Sequence, residues 1–353
     1  MRLRPIIVAA ATAAATAVAM AGPAQAAPTP TTLVEGLVGP LSLSVDKGHI
    51  YVTQSFAGKL TRYLINGSGG KDLFVRDPKI DIEAVEAKGP GTLFTVTGKT
   101  AGGQKFAQVL HLSNKGKKRV VANTRGYEVN NNPDHGKVYG FRDLSNKCAG
   151  KVPAQIGGDP YKGKVDSHPY ATARTHSGSI LVADAGGNDL LRVSKSGAIS
   201  TVAVFPGQPK KVTKALHTSL GLPKCTVGHK YYFEAVPTDV EVRGHKAYVT
   251  TLPGGPEDRS LGARGKVYRV NLLNGNVKLL AKHFLGATGV AVSPTGKVYV
   301  AELFGNRIST ISHHKRQTVL SVPSPAAIEW HNGKLFATSN ATSPPGSVIS
   351  FTP

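Results

Sequence analysis

The sequence lacks the signatures by which most enzyme families are read. There is no HExxH, GxSxG, EF-hand loop or CxxC, so zinc-protease, serine-hydrolase, calmodulin-type and thioredoxin-type chemistry have no positive support. Gly98-Lys99-Thr100 resembles the end of a phosphate-binding loop, but Leu93 stands where that loop requires glycine. Helical periodicity is absent apart from Val212 to Leu220, which excludes a helical bundle or an alternating α/β fold. Beyond the N-terminal leader no apolar run is long enough to span a bilayer. No helix-turn-helix, zinc-finger or RNA-recognition pattern is present, so no specific nucleic-acid binding is expected. Acidic residues are few: 21 Asp and Glu against 43 Lys and Arg, a formal net charge of +22.

That charge imbalance has two readings. The lysines and arginines are scattered through turns (Lys115, Lys117, Lys118, Arg119, Lys210, Lys211, Lys315, Arg316), as on a solvated outer surface. The same surface would attract an anionic cell-envelope polymer at low salt. Residues 1–26 read as a secretory signal: Arg2 and Arg4, an apolar run from Ile6 to Ala21, then the small-residue site Ala24-Gln25-Ala26. A secreted, monomeric protein without a transmembrane segment is expected. The two cysteines, Cys148 and Cys225, would pair in an oxidising compartment.

What the chain has in abundance is turns. It holds 40 glycines and 23 prolines, most of them between short apolar alternations. Leu285 to Ile311 is the clearest unit, with three strands separated by Pro294-Thr295-Gly296 and Gly305-Asn306. The unit recurs around second-strand anchors at Tyr51, Phe94, Leu181, Tyr248, Tyr299 and Phe336. A short first strand precedes each anchor, and a third strand follows it. Fourth strands are expected at Lys71 to Val75, Lys118 to Ala122, Ile199 to Val204, Val277 to Ala281 and Thr318 to Val322. The expected fold is all-β, a six-bladed β-propeller of four-stranded blades over residues 27–353. The sixth unit ends at its third strand, so the N-terminal strand Thr31-Thr32-Leu33-Val34 is expected to complete the last blade and close the ring. Two insertions, near 127–165 and 206–234, interrupt the repeat, each with one cysteine. Gly136-Lys137-Val138-Tyr139 echoes the anchor, but no third or fourth strand follows it, so no seventh blade is expected.

In such a ring the first strands line a channel, and two positions per unit face its mouth. They carry Glu83, Asp184, Asp239 and Glu302, along with polar residues that include Gln54. Asn188 and Asn306 lie one corner further on, and His168 enters the third unit. Four converging carboxylates would repel unless a cation sat among them, so these acids, with the asparagine amides, are candidate ligands for a divalent metal such as Ca²⁺. Two alternatives stay open: the acids cap backbone N–H groups or pair with Arg192, Arg264 and Arg307, or two of them form an acid–base pair. His168 reads either as structural or as a base or ligand.

Several segments resemble the ScyD/ScyE family of exported propeller proteins, which is named for proteins encoded with the biosynthesis of a cyanobacterial sunscreen pigment. These are HPYATA, VADAGGNDLLRV, GLPKC, YYFEAVPTDVEV, YVTTLPGGPEDRSLGARGKVYRV, GATGVAVSP and YVAELFGNRIS. The resemblance runs over nearly the whole chain after the leader and is weakest from Lys99 to Asn130. It implies an exported propeller and supplies no catalytic residues. The fold implied is also similar to NHL-type and gluconolactonase-like propellers, in which acidic and amide side chains hold a divalent metal in the channel. Glu83, Asp184, Asp239 and Glu302 are their analogues by position in the ring. The expected function is binding of a small molecule, a cation or a cell-envelope component at the channel mouth. A metal-dependent lactonase-like hydrolase and a module adhering to anionic polymer are the alternatives.

Overall fold

A computed structural model describes residues 28–77 and 80–353. The expected signal segment therefore lies outside the described residues. The described residues form 28 strands, grouped into seven four-stranded antiparallel sheets. Six of these sheets follow the repeat. Their first strands are Pro40–Asp46, Ile80–Glu86, Pro169–Arg174, Pro237–Arg243, Ala287–Val292 and Ile328–His331. Each of these strands contacts the next, and the last returns to the first.

The apolar pattern explains the ring. Strands such as Ile180–Asp184 and Val298–Glu302 are buried along their whole length, because a neighbouring sheet covers each face. Six apolar clusters each join two adjacent sheets. Leu60 packs with Ile82 and Phe94, for instance, and Ile308 with Ile328 and Leu335. The remaining four clusters bridge the other adjacent pairs. Outer strands such as Lys71–Val75 and Lys118–Asn123 are largely exposed and carry the lysines.

The N-terminal strand Thr31–Leu37 pairs antiparallel with Gly346–Phe351, Thr32 opposite Ile349 and Val34 opposite Val348. It is the outer strand of the sheet that contains the C-terminus. Closure by this pairing covers an edge that would otherwise template association.

The seventh sheet was not expected. Val138–Phe141 from the first insertion is its centre, flanked by Tyr161–Lys162 on one side and by Lys230–Phe233 and Gln208–Lys211 of the second insertion on the other. The echo at Val138-Tyr139 is thus a real strand. Two of its sheet partners come from about 70 to 90 residues away, beyond the reach of any repeat-based reading. The sheet has its own apolar cluster around Phe141, Val152, Val212 and Leu222. Cys148 and Cys225 are joined in a disulfide, Cα to Cα 6.0 Å, and this ties the two insertions together. The helix Thr124–Asn131 was also missed in the sequence, whereas Lys214–Ser219 falls within the one periodic stretch. Among the described residues no helix is long and apolar enough to cross a membrane.

Candidate functional site at the channel mouth

The first strands enclose a narrow channel of about 30 Å³, lined by Ser42, Glu86, Asp239, Glu241 and Glu329 among others. Above it opens a cavity of about 640 Å³. Leu41, Tyr170, Thr238 and Thr288 line both spaces, so they form the floor of the upper one. The cavity wall includes the apolar side chains of Phe56, Val236, Leu252 and Leu303. Phe56 is 52% exposed. The wall also carries Glu83, His168, Asp166, Lys105, Lys164, Glu234 and Glu257.

His168 Nε2 lies 3.3 Å from Glu83 Oε1. The contact becomes an ion pair when the imidazole is protonated, and its geometry falls short of a hydrogen bond, so the imidazole nitrogen is buried without a hydrogen-bond partner. Burial pushes the imidazole down, but Glu83, Asp184 and Asp166 outweigh it and raise His168 above its ordinary value. Tyr170 is held protonated by burial and by Glu83, Glu257 and Asp239.

The structure does not bring the four expected carboxylates together. Among the described residues no group of three or more His, Cys, Asp or Glu is placed to hold a metal ion. Glu302 is fully buried and lines neither cavity. Its carboxylate accepts from Leu285 N (2.7 Å), Arg307 Nε (2.8 Å) and Nη2 (3.0 Å), Ser309 Oγ (2.5 Å) and Arg316 Nη1 (3.2 Å). Burial alone would push this group up; Arg307, the Leu285 N–H and the Ser309 hydroxyl hold it below the usual carboxylate range. Asp184 is likewise enclosed, accepting from Ser167 Oγ and from the backbone N–H of His168, Gly186 and Gly187. Asp239 lines the channel, but its two oxygens accept from Val240 N (2.8 Å) and Val290 N (2.7 Å), bridging two first strands that share no ladder. Burial raises it to about 7. Of the four, Glu83 alone lines the mouth cavity.

A recurring device accounts for the polar residue at the end of the second strand in three of the six sheets. Gln54 accepts from Val38 N, Asp184 from His168 N, and Glu302 from Leu285 N, at separations of 16, 16 and 17 residues. Each side chain pins the loop that enters the first strand of its own sheet. Asn188 and Asn306 form a second device. Both adopt positive φ (55° and 50°), a conformation that asparagine tolerates. The side-chain oxygens accept from Val236 N and Ser324 N, and their backbone oxygens from Phe205 N and Val322 N. Each corner fastens the exit of one sheet to the entry of the next. Asn188 also borders the mouth cavity; Asn306 and Gln54 do not.

At the far end of the channel lies a cluster that the repeat alignment passed over. Lys88 Nζ sits 3.0 Å from Glu329 and 3.3 Å from Glu241, while its backbone N–H donates to Glu86 at 2.6 Å. Burial opposes the charge on Lys88, but the three carboxylates raise it well above the ordinary lysine value. With one cation among three acids, burial and mutual repulsion raise Glu86 and Glu329. The acids occupy first-strand positions, so the period could have shown them had the inward-facing residues been read to both ends of the channel.

No family model and no curated protein matches this sequence. Solved structures do. The soluble aldose sugar dehydrogenase of Escherichia coli aligns over 92% of this chain and 99% of its own, at 11% identity and a TM-score of 0.54. A Thermus thermophilus oxidoreductase of glucose dehydrogenase type aligns over the same shares, at 13% identity and a TM-score of 0.55. The chain is a β-propeller. At such identities the likeness carries the fold and no activity. A Xanthomonas campestris gluconolactonase aligns over 92% of this chain and 89% of its own, at 11% identity and a TM-score of 0.49.

Proposed function

We propose that this propeller is an exported binding protein of the ScyD/ScyE type that holds a small molecule at its channel mouth. The observation that carries this reading is the 640 Å³ cavity, whose wall carries both apolar and polar side chains. Its volume falls within the roughly 300–1,000 Å³ typical of small-molecule sites. The expected ligand has an apolar body that covers Phe56, Leu252 and Leu303, and hydrogen-bonding groups that reach His168, Glu83 and Lys105. Export is supported by the leader-like residues 1–26 and by the disulfide.

A screen of amphipathic small molecules by thermal shift tests the proposal. Hits should lose affinity at least tenfold in both Phe56→Ser and His168→Ala. Hits that bind both variants as tightly as the wild type would place the ligand elsewhere. A second reading, acid–base catalysis in the same cavity, is favoured by the His168–Glu83 contact. It predicts that a hit is turned over by the wild type and only bound by Glu83→Gln; identical turnover in the two proteins would remove it.

A further inference from the structure

The buried charge of this propeller is least satisfied beneath one wall of the mouth, where the first insertion begins. Glu128, on the helix Thr124–Asn131, is 1% exposed, Asp134 is 1% exposed and Asp189 is 0% exposed. Five oxygens here are buried without a hydrogen-bond partner: Glu128 Oε1, Asn132 Oδ1, Asp134 Oδ1, and both Asp189 Oδ1 and Oδ2. The donors nearby are already directed elsewhere. Tyr139 and Asn188 donate to the other oxygen of Asp134. Arg125, the cation of this helix, reaches out to Val165 O. The backbones of two glycines pack close against the acids. A Cβ on Gly187 would sit 3.4 Å from both Asp189 Oδ2 and Glu128 Oε2, and one on Gly163 would sit 1.9 Å from Asp134 Oδ1.

A cluster of buried carboxylates with so many oxygens left without a donor is unstable unless something positive joins it. We propose that a calcium ion binds between Glu128 and Asp189, with Asn132, Asp134 and water supplying further oxygens. Calcium suits such a set because it takes six to eight oxygens in flexible geometry, carboxylate and amide alike. As the side chains stand, no three acids converge on one point; the ion is therefore assigned to two carboxylates first, and the neighbouring oxygens close around it. The site differs from the four mouth carboxylates expected from the sequence. It also has a mechanical consequence. Asp189 follows the corner Ala185 to Asn188, of which Ala185, Gly186 and Asn188 wall the mouth cavity, so the ion would fasten that wall to the first insertion. The inference stands independently of whether the mouth takes a small molecule.

The test uses the full exported chain, stripped with EDTA and titrated with calcium chloride in a thermal melt and by calorimetry. The melting temperature is expected to rise by several degrees, saturate at one ion per chain, and fall back when EDTA is restored. Terbium should give luminescence sensitised by the nearby Tyr139. The isosteric variants Asp189→Asn and Glu128→Gln should each weaken calcium binding at least tenfold. A wild type indifferent to calcium, or a double variant that responds as the wild type does, overturns the proposal; indifference together with a higher melting temperature for Asp189→Asn would show that protons, not a cation, join the cluster.

Discussion

Removing Glu302 tests whether the most conspicuous acid of the repeat belongs to the frame or to the ligand site. Its carboxylate accepts five hydrogen bonds, three of them from Arg307 and Arg316, and is itself fully buried. Glu302→Ala leaves the Leu285 N–H and the Ser309 hydroxyl without their acceptor and sets two arginines side by side without a counter-charge. Breaking a buried pair in this way costs about 3–5 kcal/mol. The arginine side chains are 25% and 28% exposed, so water recovers part of their loss and the lower half of that range is expected. Unfolding entropy is about 2.1 cal/mol/K per residue, or ~0.7 kcal/mol/K for a chain of this length, so ~3.5 kcal/mol lowers the melting temperature by roughly 5 °C. Glu302→Gln keeps the shape and one acceptor, and should fall about midway. Differential scanning calorimetry reads both, with affinity for a mouth ligand measured below the transition. The reasoning is refuted if Glu302→Ala melts within about a degree of the wild type, or if Glu302→Gln keeps its stability and loses the ligand.

Three further outcomes follow from the same geometry. Lys88→Met strands Glu86, Glu241 and Glu329; allowing for the lysine's 35% exposure, a loss of about 2–3 kcal/mol is expected at pH 7.5 and visibly less at pH 5, read from denaturant midpoints. Asp239 is raised to about 7, above its unfolded value near 4, so the stability tied to its protonated form is present at pH 4 and is lost as pH rises through 7. Glu302, held low, acts in the opposite sense, its contribution being lost as pH falls below the ordinary carboxylate range. Melting temperature should therefore peak in mildly acidic buffer, and Asp239→Asn should flatten its alkaline limb; an unchanged limb would assign the slope to other groups. Cys148→Ser opens a cross-link spanning 77 residues, for which chain entropy suggests a loss of about 4 kcal/mol. Hydrogen exchange should quicken at 138–141, 208–211 and 230–233 while the six sheets of the ring keep their protection. Equal loosening throughout would contradict a locally stabilising disulfide.

Much of the ring was legible because its cause is local. Alternating apolar residues with glycine corners repeat along the chain, and each fourth strand lies close after its third, so Ile199–Val204 and Lys71–Val75 could be placed from the period alone. The return of Thr31–Leu37 to the last sheet was legible because a strand was missing at one end and present at the other. The seventh sheet was not, because Val138–Phe141 finds Lys230–Phe233 across a gap that no period spans. The site was read less well, for a definite reason. A polar residue at a fixed place in every repeat looks like a converging ring. Gln54, Asp184 and Glu302 instead share a task within each sheet, holding a loop N–H, and period cannot separate a side chain aimed at the channel from one folded back on its own backbone. Glu83 and His168 border the cavity because the bulged strand Ile80–Glu86 and the entry to Pro169–Arg174 meet there. Glu128, Asp134 and Asp189 escaped because a buried oxygen left without a donor leaves no mark on a sequence.

The most direct test of a ligand site at the mouth is affinity selection with mass spectrometry. The wild type is compared with Ala185→Trp, in which an indole would fill the cavity from a wall position that holds no hydrogen-bonded side chain. Both proteins are incubated with the same small-molecule library, and the retained compounds are identified after gel filtration. The account predicts compounds kept by the wild type and lost from Ala185→Trp at equal fold stability. Retention of the same compounds by both proteins would contradict it.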